Sequence, residues 1–192
     1  MTISPAHRPA QRPAHWPARS RGAAIDADTA LEQLHATHFV RLVRLAVLLL
    51  RDHGLAEDVV QDCFIEVYQR WDRLDRPGFN ADAYLRQSVV NRARSALRHR
   101  AVVARHALQE VEHAPGADTA VLAGSKRRRV LDALAVLPVR QREVLVLRYF
   151  LDLSEREIAE TLGIAPGSVK SHASRATAAL RARLDPELQE DR

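Results

Sequence analysis

The stretch Ser154-Glu-Arg-Glu-Ile-Ala-Glu-Thr-Leu-Gly-Ile-Ala-Pro-Gly-Ser-Val-Lys170 has the pattern of a helix-turn-helix. Ser154 and Glu157, three residues apart, form a capping box that can start a short helix. Gly163 stands where a tight turn needs a positive φ, which is cheap only without a Cβ atom. Pro166 suits the first turn of the next helix, because its missing N–H needs no partner there. The sequence therefore predicts two helices joined by a tight turn.

The second helix of this pair has an apolar side and a basic side when it is projected at 100° per residue. No acidic residue occurs between Gly163 and Asp185. Small hydroxyls with Lys and Arg suit phosphate and base-edge contacts in a major groove, although a solvated basic face is the alternative. The predicted DNA-contacting residues are Ser168, Lys170, Ser171, His172, Ser174 and Arg175.

The composition excludes several classes of protein. The chain has 192 residues, of which 46% are hydrophobic and 28% charged, the balance of a soluble protein with at least one core. One cysteine, Cys63, excludes an internal disulfide and a Cys-based zinc cage, and fits a reducing compartment. We therefore expect a cytoplasmic protein with no membrane partner, metal or cofactor. The net charge of +5 points to a polyanionic partner.

The apolar spacing is helical wherever it is regular, and no useful length alternates with period two. We expect an all-α chain of two small helical domains joined by a flexible linker. In the first domain, apolar residues from Leu55 to Trp71 mark a second helix and those from Leu85 to Leu97 a third. The predicted boundaries are a disordered Pro/Arg-rich tail at 1–25, a first domain at 26–105, a linker at 106–125, a second domain at 126–184 and an acidic tail at 185–192.

Two helices of the first domain carry opposite charges. The second helix has an acidic side that no Lys or Arg interrupts before Arg70, and such a side cannot face DNA. It is either a solvated face or a surface for a basic protein partner. The third helix has no acid after Asp82 and presents amide and guanidinium groups that can contact bases and phosphates. The acidic residues are Asp52, Glu57, Asp58, Asp62 and Glu66, and the opposing set is Gln87, Asn91, Arg94 and Arg98.

Four segments together resemble the conserved regions of bacterial sigma-70-type transcription initiation factors. Leu55-Ala-Glu-Asp-Val-Val-Gln-Asp-Cys-Phe64 is similar to their core-binding segment. Tyr84-Leu-Arg-Gln-Ser-Val-Val-Asn-Arg-Ala-Arg94 is similar to their melting and −10 recognition helix. Leu137-Pro-Val-Arg-Gln-Arg-Glu-Val-Leu145 and the stretch 153–171 are similar to their fourth conserved region. With two domains and a short linker, the chain resembles the extracytoplasmic-function (group IV) subfamily, and within it the actinobacterial sigma-E-like group.

This resemblance implies a sigma factor that binds core RNA polymerase and directs promoter recognition, DNA melting and transcription initiation, without catalysing a reaction. It implies that Asp58, Gln61 and Asp62 grip the clamp of the largest polymerase subunit. Asn91, Arg94 and Arg98 would capture the −10 strand, the loop 74–81 would hold a flipped base, and the basic side of the last helix would read the −35 element. The implied partners are the polymerase clamp and flap, promoter DNA and an anti-sigma factor, and we expect the free chain to be a monomer.

Two other classes of protein compete with this interpretation. A stand-alone helix-turn-helix transcriptional regulator would explain residues 154–184, but it leaves the two charged faces of the first domain unexplained. An enzyme would need a nucleophile or a metal site. Cys63 falls in the apolar stripe of a helix and suits a core position. His35 and His38 lack a third ligand and favour packing, so no catalytic or metal-binding residue is assigned.

Overall fold

The computed structural model describes residues 27–74, 77–107 and 125–184. Within these ranges the chain forms helices and no strand, which confirms the expected all-α class. The predicted tails, and the predicted linker apart from its first two residues and its last, lie outside the described residues. The helices are α1 (Ala27–Leu50), α2 (His53–Gln69), α3 (Trp71–Leu74), α4 (Ala81–Ala107), α5 (Ser125–Ala135), α6 (Val139–Tyr149), α7 (Glu155–Leu162) and α8 (Pro166–Leu184).

The first helical unit packs α1, α2 and α4 around a core of aliphatic side chains. Leu45, Leu49, Val60 and Leu85 are almost inaccessible to solvent. Asp52 starts α2, because its carboxylate accepts a hydrogen bond from the N–H of Leu55 at 2.9 Å. Such a cap satisfies one of the N–H groups that the first turn of a helix leaves unpaired.

Helix α1 is long and apolar enough, by its 24 residues and mean hydropathy, to cross a membrane. Nine of its residues are instead buried within the core cluster. Burial of this kind removes apolar surface from water at about 25 cal/mol per Å². The hydropathy of α1 therefore serves the core of the first unit.

The second helix ends earlier than its apolar spacing predicts. The N–H of Arg70 closes the last turn of α2 on the carbonyls of Glu66 and Val67, both at 3.2 Å. Trp71 then begins the short helix α3 and places its side chain in the core. Helix α4, conversely, extends beyond its predicted apolar stripe as far as Ala107. Trp71 is thus a core residue, but it does not belong to α2.

The second helical unit contains the predicted helix-turn-helix in α7 and α8. The Ser154 side chain and the Glu157 side chain cap each other's backbone N–H groups, so the capping box is present. Gly163 ends α7 with φ of 63°, and Pro166 is the first residue of α8. Val169 is fully buried between the two helices and the rest of the unit. These features confirm the pattern on which the sequence prediction depends.

The two units pack against each other, which the sequence did not predict. Helix α6 is buried at Val144, Leu145, Val146 and Leu147, four residues in succession. Helix α6 contacts α1, and α7 contacts α4. Arg142 of α6 is itself buried, and its guanidinium donates to the carbonyl of Leu49 in α1 at 2.7 Å. One continuous apolar core therefore runs through both units.

Candidate nucleic-acid interface

The predicted DNA-contacting residues of α8 share one side of that helix. Lys170, Ser171, Ser174 and Arg175 are exposed, and Ser168 and His172 are half-buried. The Ser171 hydroxyl donates to the carbonyl of Gly167 at 3.1 Å, and the guanidinium Nε of Arg175 donates to the Ser171 carbonyl at 3.2 Å. These bonds hold both side chains along the helix surface and leave other donors of Arg175 available to a ligand.

An open cleft of about 530 Å³ lies beside this face, between α6, α7 and α8. Arg148, Lys170 and Arg181 line it together with Ser174 and Thr177. Glu155 at the start of α7 pairs with Arg148 at 3.3 Å and with Lys170 at 3.7 Å. The basic surface of α8 therefore continues into the cleft, where a single carboxylate restrains two of its cations.

The predicted −10 residues of α4 do not share one environment. Asn91 and Arg98 are exposed, as predicted. Arg94 is only 19% exposed, and its Nε and Nη2 atoms donate to the two carboxylate oxygens of Glu143 in α6 at 2.9 and 3.0 Å. Arg94 lies beside Asn91, with its Nη1 atom 3.4 Å from the Asn91 side-chain oxygen, but the second unit covers most of its side chain.

The acidic side of α2 is also less free than the sequence predicts. Arg92 of α4 pairs with Asp62 at 3.2 Å and with Glu66 at 3.0 Å. Asp52, which caps α2, pairs with Arg100 of α4. The basic neighbours of this acidic side therefore come from α4, and not from α2 itself. Of the predicted polymerase-binding residues, Asp58 and Gln61 are exposed, and Asp58 makes no ion pair with any residue that the structure describes.

The loop predicted to hold a flipped base is described except at residues 75–76. Gly78 has φ of 86°, a conformation that glycine adopts readily. Asn80 starts α4, since its side-chain oxygen accepts from the N–H of Ala83 at 3.0 Å. The rings of Phe79 and Tyr84 lie 5.7 Å apart. The ring of Phe79 in this loop therefore lies beside that of Tyr84 in the first turn of α4.

Comparisons with known proteins bear on both units. Residues 34–102 match the family model for sigma-70 region 2, and residues 127–180 match that for sigma-70 region 4. The chain is 36% identical over 148 residues to the RNA polymerase sigma-E factor of Streptomyces avermitilis, across 75% of this chain and 79% of that protein. It is 34% identical over 171 residues to the ECF RNA polymerase sigma factor SigL of Mycobacterium tuberculosis, across 87% of this chain and 96% of that protein.

The chain belongs to the sigma-70 family, as an ECF sigma factor. Among solved structures it is similar to the sigma factor RpoE of Bartonella quintana in complex with the anti-sigma factor NepR. That match has a TM-score of 0.66 and 26% identity, over 84% of this chain and 98% of that one. CnrH, solved with the cytosolic domain of CnrY, matches with a TM-score of 0.62 and 28% identity, over 83% and 90%. This sigma factor therefore acts in transcription initiation with core RNA polymerase, and not as a stand-alone regulator.

Sequence reasoning about this sigma factor missed three residues that shape its surfaces: Arg92, Arg142 and Glu143. A helical projection could have found Arg92, because it stands seven residues after Leu85 and therefore on the packed side of α4. Arg142 and Glu143 directly precede four successive apolar residues in a helix. A helix that is apolar all round is buried all round, so charged residues at its start are expected to be buried as well.

Cys63, His35 and His38, the side chains considered for an enzymatic role, occupy structural positions in this sigma factor. Burial raises the pKa of Cys63 to about 12, so its thiol is a poor nucleophile at neutral pH. The His35 ring stacks on Phe39 with centroids 4.3 Å apart. His38 Nδ1 lies 3.2 Å from a carboxylate oxygen of Asp82 at the start of α4. The packing roles favoured by the sequence for Cys63 and His35 are confirmed.

Proposed function

We propose that this sigma factor docks on the clamp of the largest polymerase subunit through the exposed side of α2. Asp58, Gln61 and Asp62 are the contacting residues, and Asp58 contributes most because it has no ion pair among the described residues. An exposed carboxylate gains from a basic partner surface through charge complementarity. The second unit meets the polymerase flap, as the resemblance to sigma-70-type factors implies. The protein works as a monomer in the cytoplasm, where polymerase acts.

The exposed side of α8 reads the −35 element in the major groove of duplex DNA. The six predicted residues, Ser168 to Arg175, combine small hydroxyls with Lys170 and Arg175 and have no acid among them. Arg and Lys contacts release counterions from DNA, so binding of this element weakens steeply with salt. The basic cleft lined by Arg148 and Arg181 continues this surface toward the phosphate backbone.

The side of α4 that carries Asn91, Arg94 and Arg98 captures the unpaired −10 strand. Unstacking a base costs a few kcal/mol, which contacts with the loop before α4 and with this helix must offset. Phe79 and Tyr84 are the rings available there for stacking. The protein itself catalyses no reaction. An anti-sigma factor is a further partner, supported by the two structural neighbours that were solved with anti-sigma factors.

One observation carries this proposal: a single chain presents an exposed carboxylate on α2 without an ion pair among the described residues, and an exposed basic side on α8, a helix that contains no acid. The test is a binding titration of the full chain with core RNA polymerase. Asp58→Arg is expected to weaken association more than tenfold, because like charges across an interface cost several kcal/mol. Glu32→Arg, an exposed acid on α1, is the matched control and is expected to bind normally. Normal association of Asp58→Arg would contradict the docking surface.

A further inference from the structure

The cleft between α6, α7 and α8 carries more positive charge than its own residues neutralise. Arg148, Lys170 and Arg181 line it, and Glu155 is the one carboxylate among the lining residues. Three cations and one carboxylate give the cleft a net charge of +2. Glu155 is shared between Arg148 and Lys170, and Arg181 makes no ion pair with any residue that the structure describes. The cleft is therefore suited to a ligand with several negative charges.

Apolar surface lies beside these cations. The Tyr149 side chain at the end of α6 is 69% exposed, more than any other large hydrophobic side chain that the structure describes. Ala173 and Ala178 of α8 line the same cleft. Exposed apolar surface with a charged rim is typical of a site for another polypeptide segment. The cleft therefore fits an acidic peptide that has an apolar side chain among its acids.

The sequence directly after α8 has this composition. Residues 185–192, the acidic tail, read Asp-Pro-Glu-Leu-Gln-Glu-Asp-Arg and lie outside the described residues. Four acids against one arginine give the acidic tail a net charge of −3, and Leu188 is its one large apolar residue. The C-terminal end of a helix has a partial negative charge, which opposes acids placed just beyond it. The acids of the tail are therefore stabilised by nearby cations, and not by the helix that they follow.

The helical spacing of α8 directs the acidic tail to the cleft. Residues of α8 that line the cleft recur at intervals of three or four, and the same interval leads from Arg181 to Asp185. Pro186 disfavours continuation of the helix. Lys170 lies 14 residues before Leu184, or about 21 Å along the helix. Eight residues of extended chain span about 27 Å, so the tail is long enough to reach every cation of the cleft.

We propose that the acidic tail docks in this cleft, with its carboxylates against Arg148, Lys170 and Arg181 and with Leu188 against the ring of Tyr149. The docking is independent of the proposed function. Its consequence rests on that function, which assigns the cleft to the phosphate backbone of DNA. The docked tail competes with DNA phosphates for the same cations, so it weakens binding that depends on phosphate contacts alone.

Tethering favours the acidic tail over an acidic segment of another protein. A ligand joined to its site by a short flexible chain has an effective concentration in the millimolar range. A single exposed ion pair contributes only about 0–1 kcal/mol, but several such pairs on a tethered segment are sufficient to occupy the cleft. In the free protein the tail therefore occupies the cleft, and DNA displaces it.

The first test detects docking in the full chain through its effect on α6. Proton–nitrogen correlation NMR spectra of the wild type are compared with those of a tail variant. The amide signals of Arg148 and Tyr149 are expected to shift, although Tyr149 stands 36 residues before Asp185 in the sequence. Shifts confined to the last turn of α8 would mean that the acids pair only there, and would overturn the docking. The tail variant carries Asp185→Asn, Glu187→Gln, Glu190→Gln and Asp191→Asn.

A charge-matched control removes four exposed acids on α1, α3 and α7 instead. It has the same net charge as the tail variant, and its Arg148 and Tyr149 amide signals are expected to stay in place. Equal shifts in the two variants would mean that net charge, and not docking, moves these signals. Far-UV circular dichroism checks that both variants keep their helices. The control carries Asp28→Asn, Glu32→Gln, Asp72→Asn and Glu160→Gln.

The second test measures the competition with DNA. Fluorescence anisotropy follows binding to a short labelled duplex of mixed sequence, which offers phosphates without a promoter element. The tail variant is expected to bind at least about threefold more tightly than the charge-matched control, because apparent affinity rises with the fraction of protein whose cleft is free. Equal affinities of the tail variant and the control would overturn the competition.

Replacing two cleft cations shows whether the acidic tail acts through the cleft. In a background with Arg148→Gln and Arg181→Gln, neutralising the tail is expected to give no further gain in DNA affinity over the charge-matched control, because residues that share one interaction have non-additive effects. A gain that persists in this background would mean that the tail acts from a distance, and would overturn the competition.

These results separate the docking from the proposed function. If the α6 signals shift but the tail variant binds DNA no better than the control, the docking stands and the assignment of the cleft to DNA phosphates fails. If the α6 signals do not shift, the docking fails, whereas the assignment of the exposed side of α8 to the −35 element is unaffected.

Discussion

The basic faces of α8 and α4 differ in what covers them. Lys170 and Arg175 of α8 are exposed to solvent, and Lys170 pairs with Glu155 of its own unit at 3.7 Å. Arg94 of α4 is paired with a buried carboxylate of the other unit. The proposed DNA-binding face of α8 is therefore exposed in the packed chain, whereas that of α4 is partly covered. A cation can be present at the correct place in the sequence and still be occupied in the folded protein.

The difference arises from how far apart in sequence the partners lie. The α8 face depends on a capping box and a glycine turn within ten residues of sequence. The α4 face depends on Glu143, which is 49 residues away from Arg94. Contacts between distant residues close a long loop and are specified by the whole fold. Variants that separate the units should therefore change the α4 face and spare the α8 face.

The largest effect is expected for Arg142→Met, which removes the buried guanidinium between α1 and α5. The carbonyls of Leu49, Ala135 and Leu137 lose their donor, whereas that of Leu134 keeps the N–H of Leu137, and each buried unsatisfied group costs about 1–3 kcal/mol. We expect the free energy of unfolding to fall by about 3 kcal/mol or more, with separate transitions for the two units. Urea denaturation followed by circular dichroism measures both.

Arg156→Met is the matched control for that substitution, because Arg156 of α7 is 88% exposed and, among the residues that the structure describes, pairs only with Glu160. Its unfolding midpoint should not move measurably. A single transition with unchanged midpoint in Arg142→Met would mean that the guanidinium does not hold the units together, and the contrast between the two faces would need another cause.

An intermediate effect is expected when one arginine on each basic face is replaced by alanine. Arg175→Ala should weaken binding to −35 duplex DNA by about 1–3 kcal/mol, in the free protein as well as in the holoenzyme. Arg94→Ala should leave the DNA affinity of the free protein unchanged and impair promoter opening in the holoenzyme. Fluorescence anisotropy measures the first effect, and permanganate reactivity of unpaired thymines measures the second.

One result would contradict this difference in exposure between the α8 and α4 faces. If Arg94→Ala weakened DNA binding by the free protein as much as Arg175→Ala does, Arg94 would already be accessible. Asn91→Ala provides the control on the same helix, because Asn91 is exposed when the two units are packed together. It should impair promoter opening without changing the distance between the units.

The sequence was sufficient for the helices whose determinants are local. Ser154, Glu157 and Gly163 specify α7 and its turn through hydrogen bonds and backbone conformation within a few residues. The apolar spacing was sufficient for the packing of α1, α2 and α4. The apolar spacing was wrong about Trp71, which it placed in α2. The hydrogen bonds of the Arg70 N–H end α2, so Trp71 begins α3 and reaches the core from there.

The sequence was not sufficient for side chains whose partners lie in another helix. Asp62 and Arg94 were both assigned from the charge of their own helix and from the family resemblance, neither of which names a partner in another helix. Their partners, Arg92 and Glu143, are separated from them by 30 and 49 residues, and charge pairing over such distances depends on how the helices pack. Helical spacing determines which side of a helix a residue occupies, and it does not determine what lies opposite.

The smallest effect is expected at the capping box of α7, which is local and exposed. The pKa of Glu157 is lowered, chiefly because the Ser154 hydroxyl and N–H donate to its carboxylate, at 2.7 and 2.9 Å. A lowered pKa in the folded state adds stability above the ordinary pKa of glutamate, near 4.5, and that stability is lost as the pH falls through the folded value.

Because the carboxylate is exposed, Glu157→Gln should cost only a few tenths of a kcal/mol at pH 7. The difference from wild type should vanish in acid and should shrink at pH 7 in a Ser154→Ala background. Urea denaturation at pH 7 and pH 3 measures it, and a difference that persists at pH 3 would mean that packing, and not the charge of Glu157, stabilises the start of α7.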